Sequence, residues 1–340
     1  MNDSGGVHRT PASAANVLLV GPVRNCGSGI AREIRHLMRV FSVFRSVAVL
    51  LVESDSSDDS LRELRKLERE IPNFAFVSMG ALAPLHPIRC DRIAQCRNVY
   101  VEMVRNDPRY RHIDYVLSAD LDGVNDGLTA DAVLSSWRTD IDWAGVTANQ
   151  TLGYYDIWAL RHKAWSPVDC WDAYRSLVDT VGPRQALEAC VASKQMRIPP
   201  EAGLIEVESA CGGFAIYKRD AFVCGRYVGK DENGREVNEH IAFHAALRAN
   251  GHRIYINPAM INADYNEHTR HKTRLGHLRK EFMWTVREAA DRLHCRGRLE
   301  AVVAACKAAF AGRGALPAKV AGLASAPRAP DHAVGKKRAG

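Results

Sequence analysis

Short, continuously apolar segments alternate with amphipathic helical segments along the first half of the chain, and this alternation constrains the fold more than any other feature. Four such segments are predicted to be strands, at residues 17–20, 46–52, 74–77 and 115–119. Between them, apolar residues recur at helical spacing. Strands that are apolar on both faces and joined by helices are typical of a doubly wound, mostly parallel sheet flanked by helices. The sequence therefore predicts an α/β fold in a single large domain.

The second half of the chain is more polar and contains more glycine. Further strands are predicted at residues 143–146, 206–218 and 253–258. A helix over residues 239–250 should begin after Asn238, whose side chain can cap it, and should end at Gly251. A terminal helix is predicted near residues 277–295. No internal repeat is present, which favours one continuous domain.

The composition suits a folded domain with flexible ends. Apolar residues make up 46% of the chain and charged residues 25%, which is typical of globular proteins. We expect a flexible leader over residues 1–15, a domain over residues 16–300 and a disordered basic tail over residues 313–340.

The net charge of +7 is concentrated near the end of the chain. From residue 313 onward there are six basic residues and one acid, so the remainder carries a charge of only about +2. A nucleic-acid partner is therefore not expected, and deletion after residue 312 should leave activity intact. Weak contact of the basic tail with an anionic membrane surface is the alternative role for this charge.

The nine cysteines form no Cys-x-x-Cys pair, so a zinc site is not indicated. Their odd number and the absence of a charged-then-apolar leader favour reduced thiols in a cytoplasmic protein. No apolar run approaches the ~20 residues that a membrane-spanning helix needs. We therefore expect a cytoplasmic location, with peripheral contact at the inner membrane face as the alternative.

Two carboxylates, Asp120 and Asp122, follow the strand at residues 115–119. Residues i and i+2 of a strand point to the same side, so both side chains could bind one hard cation at the carboxyl end of the sheet. Ligands of open α/β sheets bind at that edge. The pair predicts a Mn²⁺ or Mg²⁺ site for a diphosphate-bearing substrate. A solvated strand end or an Asx turn is the alternative.

Polar residues follow two other predicted strands. Arg24 and Asn25 lie in the glycine-rich loop after the first strand, and Glu53 ends the second. The loop matches neither a dinucleotide fingerprint nor a P-loop, since its glycines are wrongly spaced and it lacks the lysine. These three residues are candidates for contacts with phosphate, ribose or base, and Arg92 and Arg97 are further candidates for phosphate. A plain capped loop and surface ion pairs are the alternatives.

The order of these features resembles the GT-A glycosyltransferase fold, and more narrowly the fungal capsule-associated α-mannosyltransferase family. The segment Tyr-Tyr-Asp-Ile-Trp-Ala-Leu-Arg at residues 154–161 is similar to that family's aromatic-Tyr-Asp segment. The segment Cys-Gly-Gly-Phe-Ala-Ile-Tyr at residues 211–217 occupies the place of its glycine-containing strand. Asn238, Glu239 and the following helix and strand are also similar. The resemblance covers about residues 17–270 and implies a nucleotide-sugar donor, with mannose as one candidate for the transferred sugar. It also implies that residues 16–148 form a nucleotide-binding half of the domain and residues 149–300 an acceptor-binding and catalytic half.

The resemblance gives the remaining candidates their roles. His268 or His271, after the last strand, would supply a third metal ligand. Glu239 would act as a general base in an inverting transfer, or would orient the acceptor in a retaining one. Its alternative role is to complement the helix dipole.

The acceptor side would be formed by the aromatic segment. Tyr155 and Trp158 would stack on a sugar, and the carboxylate of Asp156 would bond sugar hydroxyls or take part in catalysis. Gly212 and Gly213, predicted to lie inside a strand, would let backbone amides approach the donor sugar. Core packing of the aromatic residues and a simple bulge are the alternatives.

Together, these inferences predict a metal-dependent glycosyltransferase of polysaccharide biosynthesis. It would move a sugar from a GDP- or UDP-sugar to a glycan or other hydroxyl acceptor. Two alternatives stay open: a nucleotidyltransferase acting on a sugar phosphate, and a non-catalytic protein of the same fold that binds sugar nucleotides or glycans.

Overall fold

The computed structural model of the protein describes residues 9–264 together with residues 285 and 286. The chain divides into two compact units, residues 1–266 and residues 267–340, and every element named below belongs to the first. His268, His271, the basic tail and nearly all of the helix predicted near residues 277–295 lie outside the described residues. No helix within the described part of the chain combines the length and the apolar character needed to cross a bilayer.

Eight strands and eight α-helices occur in the described residues. The strands are β1 (Asn16–Val23), β2 (Ser46–Glu53), β3 (Phe74–Ser78), β4 (Tyr115–Ala119), β5 (Gly145–Gln150), β6 (Ile205–Val207), β7 (Phe214–Lys218) and β8 (Ile254–Ala263). The helices are α1 (Ile30–Val40), α2 (Ser60–Glu70), α3 (Arg89–Asn106), α4 (Ala130–Leu134), α5 (Cys170–Val181), α6 (Pro183–Cys190), α7 (Arg219–Phe222) and α8 (Glu239–Ala249).

The strands form one mixed sheet in the order β3-β2-β1-β4-β7-β5-β8-β6. Six of them share one direction, whereas β7 is antiparallel to β4 and β5, and β6 is antiparallel to β8. The predicted mostly parallel, doubly wound α/β sheet is confirmed. From β1 the chain continues through β2 to β3 on one side, while β4 lies on the other side of β1. This arrangement creates a topological switch point between β1 and β4, where open α/β sheets bind ligands.

The apolar core lies on both faces of the sheet, because successive residues of a buried strand point to opposite sides. In β1, Val17 and Leu19 pack with the core that contains α1 and α2. Leu18 and Val20 pack with the core that contains α3 and α8. A strand covered on both faces must be apolar throughout, which explains the unbroken run at residues 17–20.

The structure corrects the prediction for residues 206–218. They form two separate strands, β6 and β7, which are not neighbours in the sheet. Gly212 and Gly213 do not lie inside a strand: their φ values of +71° and +83° place them in a turn before β7. Extended strand geometry requires a negative φ, so this pair of glycines ends one segment and starts the next.

Candidate active site

The candidate site lies at the carboxyl ends of β1 and β4. β4 ends at Ala119, so Asp120 and Asp122 stand in the following turn rather than in the strand itself. The backbone N–H of Asp120 donates to the carbonyl oxygen of Gly213 at 2.9 Å. Asp122 is exposed, and its Oδ1 accepts the N–H of Val124 at 3.2 Å. Asp122 thus forms an Asx turn and also presents its carboxylate to solvent at the switch point.

Arg97 of α3 connects the two carboxylates that the sequence assigns to different roles. Its Nη2 donates to Oδ1 of Asp120 at 2.7 Å, and its Nε donates to Oε1 of Glu239 at 3.1 Å. A third nitrogen, Nη1, donates to the hydroxyl of Tyr100 at 3.0 Å. Burial alone would lower the pKa of Arg97, but the charges of these neighbours raise the pKa well above its ordinary value. The guanidinium stays charged and fixed in place.

Arg97 lies on the buried face of α3. Its side chain is 3% exposed, and Ala94, Tyr100 and Val101, three or four residues away, are buried on the same face. Its partners are 23 and 142 residues away in sequence. Helical periodicity carries no information about such distant pairing, so the sequence gives Arg97 only as a phosphate candidate.

Glu239 stands in the first turn of α8. Asn238 caps this helix as predicted, because its Oδ1 accepts the N–H of His240 at 3.1 Å. The neighbouring His240 ring is fully enclosed, and burial together with the charge of Arg97 holds the pKa of His240 well below its ordinary value. His240 is therefore neutral beside the Glu239 carboxylate, whose ionic partner is Arg97.

Asp156 faces the glycine turn from the aromatic segment. Its Oδ2 accepts the N–H of Gly212 at 3.2 Å, and its Oδ1 accepts the N–H of Ala159 at 3.3 Å. Desolvation raises the pKa of Asp156 to about 6, and the negative charges of Asp120 and Glu239 add to the rise against the effect of the backbone bonds. Asp156 thus belongs to the same electrostatic cluster as Asp120 and Glu239.

Three buried amide side chains hold the glycine turn in place. Gln150 and Asn262 both donate to the carbonyl oxygen of Gly212, at 3.0 and 2.8 Å. Asn125 donates to the carbonyl oxygen of Gly213 at 3.1 Å and to that of Asp120 at 2.8 Å. Sequence reasoning did not give these amides a role. Two of them, Gln150 and Asn262, stand at or next to the carboxyl end of a strand, and this position is the signal that sequence offers.

The proposed acceptor residues are joined to α5 through Asp169, which sequence reasoning also missed. The indole Nε1 of Trp158 donates to Oδ2 of Asp169 at 3.1 Å, and Arg161 donates to the same oxygen at 2.6 Å. The other oxygen of Asp169 caps α5 by accepting the N–H of Trp171 at 2.8 Å. Tyr155 is half-buried, and its N–H donates to Gln150 at 3.2 Å.

The nucleotide candidates lie along the ends of β1 and β2. Glu53 is buried, and its two oxygens accept the N–H of Ser56 at 2.9 Å and the hydroxyl of Ser78 at 2.5 Å. Asn25 accepts the N–H of Ser57 at 2.8 Å, which ties the β1 loop to the β2 loop. Arg24 is exposed beside it. The two loops form a braced rim on the β1 side of the switch point.

Arg92 lies near this rim in the first turns of α3. Its Nη1 donates to the backbone carbonyl oxygens of His86 and Pro87, each at 2.8 Å. Its Nε lies 4.0 Å from a carboxylate oxygen of Asp55. These contacts hold the segment before α3 in place. They also use N–H groups of the Arg92 guanidinium, which the sequence predicts to contact phosphate.

Glu33 is a further carboxylate that sequence reasoning missed. It lies in the first turn of α1, is 3% exposed, and accepts the N–H of Gly123 at 3.1 Å. Burial and the adjacent charge of Asp122 raise the pKa of Glu33 to about 8. The available signal is its spacing from Ile30 and Leu37, which puts Glu33 on the buried face of the helix.

A divalent cation fits the donor chemistry of this site. Asp120 and Asp122 offer hard oxygen ligands, and the carboxylates of Asp120, Asp122 and Glu239 outnumber the single guanidinium of Arg97. Within residues 9–264 and 285–286, no group of three or more His, Cys, Asp or Glu side chains is arranged to hold a metal ion. Among the described residues, Asp120 and Asp122 are the candidate protein ligands, and substrate oxygens would add to the coordination.

No protein-family model matches the sequence, and no curated protein sequence matches it. Solved structures of GT-A-type glycosyltransferases are similar to the chain. Mannosyltransferase PcManGT from Pyrobaculum calidifontis, in complex with GDP-Man and Mn²⁺, is 17% identical with a TM-score of 0.40, over 92% of this chain and 79% of its own.

Two further structures are similar at the same level. TarS 1–349 from S. aureus is 14% identical with a TM-score of 0.42, over 77% of this chain and 64% of its own. Glucosyl-3-phosphoglycerate synthase from Mycobacterium tuberculosis, in complex with Mn²⁺, UDP and phosphoglyceric acid, is 13% identical with a TM-score of 0.37, over 78% and 73%. Such values assign no activity or substrate to this chain, and the resemblance to the fungal capsule-associated family is not confirmed.

Proposed function

We propose that the protein is a divalent-metal-dependent glycosyltransferase that transfers a sugar from a nucleoside diphosphate sugar to a hydroxyl acceptor. The observation that carries the proposal is the cluster around Arg97 at the switch point of the sheet. This cluster joins Asp120, which follows β4, to Glu239, which starts α8, at hydrogen-bond distance from one guanidinium. The exposed carboxylate of Asp122 lies two residues from Asp120. Carboxylates at this edge suit a cation that neutralises a diphosphate.

Each part of the site has a role in this proposal. Asp122 and Asp120 would hold Mn²⁺ or Mg²⁺, which supplies positive charge to the departing diphosphate. The β1 loop with Arg24 and Asn25, and Glu53 behind it, would contact the nucleoside. Arg92 holds the segment before α3 through its Nη1. It would contact phosphate through the other nitrogens of its guanidinium.

The acceptor side depends on carboxylates and aromatic rings. Glu239 would orient the acceptor hydroxyl or take its proton, and Arg97 fixes the Glu239 carboxylate for that purpose. Asp156 would hold a proton or a sugar hydroxyl at its carboxyl group. Tyr155 and Trp158 would provide apolar surface for a sugar ring. Gly212 and Gly213 would allow the donor sugar to approach the turn before β7.

The finer parts of the proposal rest on the sequence resemblance alone. They are mannose as the transferred sugar, a glycan as the acceptor in polysaccharide biosynthesis, and His268 or His271 as an additional ligand. Contact of the basic tail with an anionic membrane rests only on the charge of residues 313–340. Each is open to a direct test with the full chain.

A donor panel tests the proposal. The protein is incubated with Mn²⁺ and, separately, with GDP-mannose, UDP-N-acetylglucosamine and UDP-glucose, and release of nucleoside diphosphate is followed. We expect one donor to be hydrolysed or transferred only when the metal is present, and to raise the melting temperature. Binding of a donor without turnover would favour the non-catalytic alternative. Release of pyrophosphate from a nucleoside triphosphate and a sugar phosphate would favour the nucleotidyltransferase.

A further inference from the structure

We propose that Arg97 is a positioning residue that couples cation binding at Asp120 to the ion pair at Glu239. This inference rests on the proposed function, because it assumes that Asp120 and Asp122 receive a divalent cation. In the structure one guanidinium serves both carboxylates at once. A cation that attracts the Asp120 carboxylate leaves the guanidinium to Glu239, so the metal-binding side and the acceptor side of the site are linked.

The contacts of Arg97 hold its guanidinium in place, so that it does not move with Asp120 or with Glu239. Nη2 is used by Asp120 and Nε by Glu239, whereas Nη1 points to Tyr100 at 3.0 Å and Ser118 at 3.5 Å. The carbon at the centre of the guanidinium lies 5.5 Å from the centre of the Tyr227 ring, a cation–π arrangement. Because the guanidinium is held from several sides, its bonds to Asp120 and Glu239 can strengthen or weaken while the group itself moves little.

The two carboxylates differ in exposure, and this difference sets the direction of the coupling. The Asp120 side chain is 34% exposed, whereas the Glu239 side chain is 7% exposed. A cation from solvent therefore reaches Asp120 first. Loss of the only partner of a buried guanidinium would be costly. Glu239 remains bonded to Arg97 when Asp120 binds a cation instead. The buried guanidinium therefore keeps an ionic partner.

Linkage then predicts an effect of Glu239 on metal affinity. If Glu239 loses its charge, Arg97 pairs with Asp120 alone and competes more strongly with the cation for that carboxylate. Glu239→Gln should therefore weaken Mn²⁺ binding more when Arg97 is present than when it is absent. A purely through-space effect of the lost charge would be equal or larger without Arg97, because no nearby positive charge would then oppose it.

A double-mutant cycle on Mn²⁺ affinity tests this coupling. Dissociation constants are measured by electron paramagnetic resonance of free Mn²⁺, without any donor, for the wild type, Glu239→Gln, Arg97→Gln and the double variant. We expect Glu239→Gln to weaken binding on the order of tenfold in the wild type and by less than about threefold in the Arg97→Gln background. Equal factors in both backgrounds would overturn the inference.

Two controls make the cycle specific. Asp156→Asn removes a carboxylate of the same cluster that does not bond to Arg97, so its effect on Mn²⁺ affinity should be the same in both backgrounds. Circular dichroism and the melting temperature check the fold of every variant. If Arg97→Gln does not fold, Arg97→Met replaces it, since methionine fills part of the buried volume of the arginine without a charge.

The experiment also separates this inference from the proposed function. If the wild type binds Mn²⁺ neither alone nor with GDP or UDP present, or if Asp122→Ala binds it as well as the wild type, the proposed metal site is wrong. If Asp122→Ala abolishes binding but the cycle around Arg97 is additive, the metal site stands and only the coupling is wrong.

Discussion

At the scale of single residues, the carboxylates of the site differ in what surrounds them. Asp122 is exposed, Asp120 is paired with Arg97, and Glu239 is buried against the same guanidinium. Exposure leaves Asp122 open to a cation from solvent, whereas burial fixes the direction of Glu239. The three acids therefore contribute different properties to one site, and single substitutions can separate them.

Asp122→Ala should abolish metal-dependent turnover while changing stability by less than about 0.5 kcal/mol, because the side chain is exposed in a turn. Donor hydrolysis with Mn²⁺ and thermal unfolding measure the two effects. The matched control is Asp131→Ala, which removes an exposed acid of α4 that pairs with Arg138 and should keep activity. Retained turnover in Asp122→Ala would remove this residue from the site.

Glu239→Gln should lower kcat by a factor on the order of 10² or more, with a smaller change in the KM for the donor, since general acid–base roles contribute at this level. Steady-state kinetics with varied donor concentration separates the two constants. Glu232→Gln, an exposed acid ahead of α8, serves as the control. Unchanged kinetics in Glu239→Gln would leave this residue as a charge that complements the helix dipole.

At the scale of elements, the turn before β7 shows how a short segment organises the site. The carbonyl oxygens of Gly212 and Gly213 accept bonds from buried amides of three separate segments, and the N–H of Gly212 donates to Asp156. A Cβ at Gly212 would lie 2.6 Å from the carbonyl oxygen of Ala148. The turn thus depends on glycine for both its backbone angle and its close packing.

Gly212→Ala should destabilise the protein by more than the ~1–2 kcal/mol that a positive φ costs an ordinary residue. The control is Gly234→Ala, because Gly234 has nearly the same φ, +73° against +71°, but a Cβ added there would meet no atom within 4 Å. Urea denaturation measures both variants. Equal losses of stability would show that close packing against Ala148 does not matter.

The elements differ in how well the sequence reveals them. β1, β2 and β4 follow from their apolar runs, and α8 follows from Asn238 and Gly251, since these signals are local. The turn at Gly212 was predicted as strand because a glycine pair fits either structure until its φ is known. Arg97, Glu33 and the buried amides depend on partners from distant segments, and no local pattern identifies such partners.

At the scale of the whole molecule, the sheet separates two cores and brings buried charge to one edge. Glu33 belongs to a helix on one face, whereas Arg97 and Glu239 belong to helices on the other. The fold therefore places acids from both layers around the same switch point. Burial of an acid without full compensation makes stability depend on pH.

In the absence of divalent cations, the contribution of Glu33 to stability should fall as pH rises from about 4.5 to 8. Glu33 has a folded pKa of about 8 against an ordinary value of 4.5, so the folded state binds the extra proton throughout this range. Its contribution is fully present below pH 4.5 and is lost as pH rises through 8, with a slope of at most about 1.4 kcal/mol per pH unit.

Urea denaturation at several pH values in chelator measures this slope. The stability of Glu33→Gln relative to the wild type should rise with pH across this range, because glutamine can accept the N–H of Gly123 but does not ionise. Glu68→Gln, an exposed acid of α2, should leave the slope unchanged. Identical slopes in the wild type and Glu33→Gln would show that Glu33 is not protonated in the folded protein.

The bonds of Asp169 have a consequence for grafting the aromatic segment onto another scaffold. The Asp169 carboxylate accepts hydrogen bonds from Trp158 and Arg161 and also caps α5. A transplanted segment that ended before Asp169 would lose these two side-chain bonds, whereas one that extended into α5 would keep them.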